Sequence, residues 1–300
     1  MCKVYHYTGS LGLLGIIQDG VIRCTNLQYL NDKMEHIYAI DAFQKECDRL
    51  KQECKSDSPH RELYNNISKW ISTNIKDAYV ACFTENADNT NHWLSYGKND
   101  VNYAIEFNKI DLEYGANACG RPGNIKEAIE SLGNPKNGEK VPGEKILKHF
   151  KPRFSKVFYD NTHIEKIMEI NSLSEALKAL GPENFASEIY NKLCFLFPAT
   201  KNAEWKHENE FRLILSECKS VDRSKGVWLA DPGKETLIKW KDNNGILIPF
   251  VEFPINRRII KKVTYHSRGD NKRIEESLLL LKRLYQLEFE IENSVSSYYR

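Results

Sequence analysis

Short apolar runs of strand length stand in two groups toward the two ends of the chain, and the stretch between them reads differently. The first group covers 3–8, 21–25, 78–83 and 101–107, with helical patterns over 11–18, 34–54 and 61–74 and a helical turn at 93–96. The second covers 210–216, 226–230, 236–240, 246–251 and 259–265, and a helix over 271–287 follows it. Between them, 109–200 holds a Gly/Pro/Lys-rich stretch over 120–143, a strand at 155–159 and helices over 162–170, 173–181 and 183–197. Strands and helices grouped in this way, rather than strictly alternating, point to an α+β fold. We expect a single α+β domain over 1–300, with 109–200 as a mostly helical insertion within it. Local punctuation agrees: Ser10 is placed to cap the helix over 11–18, Gly20 to close it, and Ser56 to Pro59 to break the helix that precedes them.

A chain of 300 residues is long enough to bury a full core. With 41% hydrophobic and 28% charged residues it reads as a soluble globular protein. Its 43 basic and 41 acidic side chains leave a net charge of +2, which gives no electrostatic reason to expect bulk nucleic-acid or membrane binding. No segment approaches the roughly 20 apolar residues of a membrane span, and the first residues have no signal-peptide pattern. The expectation is a cytoplasmic protein with no membrane partner. The eight cysteines include no Cys-x-x-Cys pair, so they read as reduced thiols, neither a zinc site nor a disulfide framework.

Residues with chemistry to offer cluster in four places. On a strand, His6 and Thr8 point one way and Tyr5 and Tyr7 the other; His6 and Thr8 either pack as satisfied polar residues or hold ribose or phosphate oxygens. Asp32 and Glu35 have capping-box spacing in front of the helix over 34–54, or stand at the mouth of a site. Trp93 and Tyr96 share a helix face and serve either core packing or stacking on a planar ligand. The fourth stretch, Lys201-x-x-x-Trp205-x-x-Glu208-x-Glu210-Phe211-Arg212, is the most pointed. If its strand begins near Glu208, then Glu208, Glu210 and Arg212 lie on one face. They are either a surface ion pair or the charged wall of a cleft, where a carboxylate stabilises a developing cation or acts as a base. Phosphate-loop, dinucleotide, nucleophile-elbow and zincin motifs are absent.

In order along the chain, Tyr-His-Tyr-Thr, Leu-Asn-Asp-x-x-Glu, Ala-Cys-Phe-Thr-Glu, Trp-x-x-Tyr-Gly with Ala-Ile-Glu-Phe, and Lys-x-x-x-Trp-x-x-Glu-x-Glu-Phe-Arg resemble the DUF2971 family of bacterial proteins. More distantly, the pattern is similar to ADP-ribosyltransferases. That resemblance implies a split β core with NAD as substrate, cleaved or used for ADP-ribosyl transfer, and by analogy a bacterial toxin or phage-defence effector. It implies His6 as the ribose-orienting residue of the first strand, Glu210 as the late catalytic carboxylate and Glu208 as the group that orients or activates the acceptor. The stacking position falls to Tyr29 or Tyr96, and Arg212 pairs with a Glu or holds a pyrophosphate. The acceptor is left open between protein, nucleic acid, small molecule and water. Two other readings compete. One is a Mg²⁺-dependent nuclease using Asp32, Glu35, Glu208 and Glu210 with Lys201 or Lys206 nearby; the other is a non-enzymatic module that binds a nucleotide or peptide.

Overall fold

A ten-stranded sheet is the frame of the computed structural model, which describes residues 2–30, 35–74, 78–96, 100–113, 146–147, 149–164, 192–217, 220–222, 227–229 and 234–296. The strands are β1 (Lys3–Thr8), β2 (Val21–Asn26), β3 (Ala78–Thr84), β4 (Val101–Asn108), β5 (Phe150–Lys156), β6 (Glu210–Glu217), β7 (Ser220–Asp222), β8 (Val227–Leu229), β9 (Ile238–Asn243), β10 (Ile246–Pro254), β11 (Ile260–Ser267) and β12 (Glu290–Asn293). Strands β7 and β8 form a separate hairpin. The helices are α1 (Ser10–Leu14), α2 (Glu35–Glu53), α3 (Pro59–Asn74), α4 (Thr90–Tyr96) and α5 (Asn271–Leu284). The mixed α/β class agrees with the grouping in the sequence. Among the described residues no helix is long and apolar enough to cross a membrane.

The order is β12-β11-β4-β1-β3-β2-β10-β9, and the sheet forks at β3. One edge of β3 pairs along its length with β6, from Ala78↔Ser216 to Thr84↔Glu210, and β6 pairs onward with β5. The other edge is shared. β1 meets β3 at Tyr5↔Thr84, whereas β2 meets it at Thr25↔Val80 and Asn26↔Tyr79. From there β1 leads to β4, β11 and β12, and β2 leads to β10 and β9.

Both faces of the central strands are covered, so β3 and β6 read as nearly continuous apolar runs although they are antiparallel. One face carries the main core, where Phe83, Phe107, Phe154 and Phe211 meet Val4, Leu13, Ile105 and Val263 under α1 and α5. Each such buried side chain contributes about 1.5–3 kcal/mol relative to exposure. The opposite face is covered in two patches. Near β1 and β4, α4 lays Trp93 on Tyr5, Tyr7 and Ala104. Near β2 and β6, Leu27, Val80, Ala199 and Ile214 form a second patch. The α2–α3 pair has its own core of Phe43, Leu50, Tyr64 and Phe197.

Several expectations are corrected. The cap of α1 is Gly9 and Ser10 is already helical, with no side-chain cap bond. The helix runs into a π-helical turn, Gly15–Asp19, which Gly20 closes at φ 67° as expected. The strand expected at 155–159 is β5, at Phe150–Lys156, and it joins the sheet as an edge beside β6. Phe150, Pro152 and Phe154 face inward, and Pro152 is tolerated because β5 has only one neighbour. The stretch 120–143, the helix over 173–181 and most of those over 162–170 and 183–197 lie outside the described residues, as does Asp32.

A latch holds α4 in place. Asp88, at φ 42° in the loop before α4, accepts the Trp93 indole N–H at 2.7 Å through Oδ1. The same carboxylate accepts the Ser294 hydroxyl, and its Oδ2 accepts the Val295 amide at 2.8 Å. Thr90 and Ser296 hydroxyls meet at 2.9 Å. One carboxylate thus ties the segment after β12 to the helix of Trp93. Asp88→Ala is expected to cost about 1–3 kcal/mol, because it leaves the indole N–H of the buried Trp93 without its acceptor. In hydrogen exchange the Val295 amide should lose protection before the β3 and β6 amides. Unchanged protection there would rule out the latch.

Candidate functional site

Lys201, Glu208, Glu210 and Arg212 form one buried ionic cluster between the two apolar patches on the α4 side of the sheet. The register puts it there. Glu210 stands across from Thr84, which stands across from Tyr5; Arg212 stands across from Cys82, and Ile214 from Val80. The strand begins at Glu210, not at Glu208. Glu208 ends a 3₁₀ turn, Ala203–Glu208, and Asn209 takes the left-handed conformation at φ 45°. The kink replaces the simple alternation expected from the sequence, yet it brings both carboxylates to the same lysine.

Lys201 Nζ donates to Glu208 Oε2 at 2.6 Å and to Glu210 Oε2 at 3.2 Å, and lies 4.9 Å from the Trp205 ring centroid. Arg212 clamps Glu210 through Nε to Oε1 at 2.7 Å and Nη2 to Oε2 at 3.0 Å, while Nη1 donates to the Pro198 carbonyl at 2.7 Å. The Glu210 amide donates to the Tyr159 hydroxyl at 2.7 Å. Glu210 is 2% exposed and Glu208 6%. Burial pushes the Glu210 pKa up, but Arg212 and Lys201 outweigh it and hold the carboxyl at about 2. The cluster therefore sets two cations against two buried acids, with Glu210 kept ionised in a dry setting.

The loop after β3 binds this segment. Thr84 Oγ1 donates to the Glu208 carbonyl at 2.6 Å, Asn86 Nδ2 to the His207 carbonyl at 3.1 Å, and Asn209 Nδ2 to Glu85 Oε2 at 2.7 Å. Tyr7 donates its hydroxyl to the Asn86 carbonyl at 3.1 Å and accepts the Asn89 amide at 3.0 Å. Motifs far apart in sequence thus meet around residues 84–89.

His92, on α4, belongs to the cluster and was not singled out from the sequence. Its ring hydrogen-bonds the Glu208 backbone and feels the charges of Glu210 and Lys201. Burial lowers its pKa, against the opposing Glu208 contact, so the imidazole stays neutral. Nδ1 has no hydrogen-bond partner among the described residues. The ring packs 5.1 Å from Tyr7 and stacks on Tyr96 at 6.1 Å. The spacing of His92 and Tyr96, four apart on a helix, is the sequence signal that would have found this pair.

His6 and Thr8 lie elsewhere. Tyr5 shares the face of Thr84 and Glu210, so its neighbour His6 projects from the opposite face. There its ring N–H donates to the Cys82 carbonyl at 2.8 Å, in the fork between β1 and β2, and the ring lies 5.3 Å from Phe83. Burial lowers its pKa, with Cys82 opposing. Thr8 lies under α1, where a methyl group on Gly12 would collide with its hydroxyl. Trp93 is core, edge-on to Tyr7 at 4.7 Å and stacked on His266 at 5.2 Å. Tyr29 is exposed in the turn after β2. Of the residues singled out from the sequence, Glu208, Glu210 and Arg212 come together, Tyr96 joins them through His92, and His6, Thr8 and Tyr29 do not. Among the described residues no three His, Cys, Asp or Glu side chains gather as a metal site.

A family model described as "Protein of unknown function (DUF2971)" matches residues 92–213, a stretch that runs from His92 through Lys201, Glu208, Glu210 and Arg212. This supports the resemblance to that family. No curated protein and no solved structure matches the chain.

Proposed function

We propose that the protein breaks the bond between nicotinamide and ribose in NAD and passes the ADP-ribosyl group to an acceptor or to water. The observation that carries this reading is a pair of carboxylates, ion-paired to Lys201 and Arg212 and buried beside a neutral imidazole with an unpartnered nitrogen. Cleavage sends the bonding electrons to the pyridine ring and builds positive charge on the ribose, which a fixed carboxylate in a dry setting stabilises strongly. Both oxygens of Glu210 are engaged by Arg212 and Lys201; in this proposal Glu208, bonded to Lys201, is the carboxylate that meets the ribose and Glu210 is the counter-charge that fixes both cations. The resemblance alone gave the first role to Glu210.

The hydrogen-bonding ring assigned to His6 by resemblance becomes His92 in this proposal. A neutral ring whose other nitrogen bonds the Glu208 backbone keeps a lone pair at Nδ1, suited to accept a ribose hydroxyl. The stacking role goes to Tyr96, beside it. The nuclease reading needs carboxylates ready to take a divalent cation, and here Lys201 and Arg212 already occupy that role.

The test is incubation of the protein with NAD labelled in the nicotinamide ring. Release of labelled nicotinamide is the expected result. Absence of both release and bound NAD would sink the proposal, and Mg²⁺-dependent cutting of DNA or RNA would replace it with the nuclease.

A further inference from the structure

Helix α5 turns two unlike faces outward and inward. Ile274, Leu278, Leu281 and Tyr285 pack on the main core. On the opposite side, one stripe at helical spacing carries Glu276, Leu279, Leu280 and Arg283, with Leu284 at its border. Leu279, Leu280 and Leu284 are 51%, 45% and 65% exposed. Glu276, Leu279, Leu280, Arg283 and Leu287 line a shallow groove there. Among the described residues neither Glu276 nor Arg283 takes part in an ion pair. Adjacent exposed leucines flanked by an acid and a base without ion-pair partners are not explained by packing among the described residues.

The placement of the charges says what covers them. Glu276 stands three residues before Leu279, and Arg283 three residues after Leu280. A twofold axis through the Leu279–Leu280 pair, perpendicular to the helix, therefore sets Glu276 of one copy against Arg283 of the other, twice, with the leucines between. We propose that this face is a self-complementary antiparallel docking surface for a second copy of this chain. A twofold interface requires that each contact be matched by its mirror contact, and this stripe meets that condition without any other partner. A helix of 14 residues is only about 21 Å long, so the pairing is a modest contact and the dimer is reversible. None of its residues belongs to the ionic cluster, so the surface stands independently of the NAD proposal.

Sedimentation velocity on the full chain over roughly 1 to 200 μM tests it. The unmodified protein is expected to show a concentration-dependent monomer–dimer equilibrium that weakens with salt. Glu276→Arg or Arg283→Glu alone sets like charges against each other at both symmetric positions and is expected to weaken dimerisation at least about tenfold. The double variant, Glu276→Arg with Arg283→Glu, restores the match and is expected to recover the dimer. Leu280→Asp is expected to leave only monomer. A chain that is monomeric throughout the range overturns the proposal. So does a dimer that persists in Leu280→Asp, or a double charge swap that fails to recover what the single swaps lose.

Discussion

Replacing Glu210 by glutamine lowers the stability of the fold by about 3–5 kcal/mol, the usual cost of removing one partner from a buried ion pair. The amide keeps the shape of the side chain but withdraws the charge that Arg212 and Lys201 share. Arg212 is fully buried and has no water to turn to. The same carboxyl sets an acid limit. Its folded pKa, about 2, lies below that of an unfolded glutamate, about 4.3. Its contribution is therefore complete above the unfolded value and is lost as pH falls through the folded one. Urea unfolding at neutral pH and near pH 3 measures both effects. The variant should be the weaker protein at pH 7 and should lose less than the unmodified chain on acidification. Equal stability of the two at pH 7 would show that the cluster is not held by Glu210.

The second large effect is on chemistry. Glu208→Gln is expected to cut NAD cleavage by about 10²–10³-fold, the usual cost of losing one preorganised charge-stabilising group. It should cost less stability than Glu210→Gln, because Lys201 keeps Glu210 as a partner and Arg212 is untouched. The comparison separates the two roles. If both variants lose activity only in proportion to their loss of folded protein, the cluster is a structural ion pair and no more. If Glu208→Gln is folded and fully active, Glu208 does not meet the substrate.

The strand runs at 3–8, 78–83, 101–107 and 210–216 were legible because their apolar residues are local and continuous. The cluster's membership was also legible, since Lys201, Glu208, Glu210 and Arg212 lie within a dozen residues. What the sequence did not reveal is set by pairing at long range. Alternation within β1 separates His6 from Tyr5, but which of them shares a face with Glu210 depends on the registers Tyr5↔Thr84 and Thr84↔Glu210. His92 acquires its meaning from Glu208, more than a hundred residues on. β12, Glu-Ile-Glu-Asn, is a polar edge strand with too little apolar pattern to see. β5 was displaced because its inward residues alternate with Lys151 and Arg153 around a proline.

The sheet order carries a consequence for biosynthesis. β4 lies between β1, which precedes it on the ribosome, and β11, some 150 residues later. At about 5–20 residues per second its far edge stays unpaired for on the order of ten seconds. The latch extends the wait. Asp88 and Thr90 are made early, but Ser294, Val295 and Ser296, which hold them, come after β12. This second tether on the helix that carries His92, added to its packing on Tyr5 and Tyr7, thus forms only after nearly all of the sheet has emerged. A chain stopped before Ser294 would hold every residue of the ionic cluster and still lack that anchor.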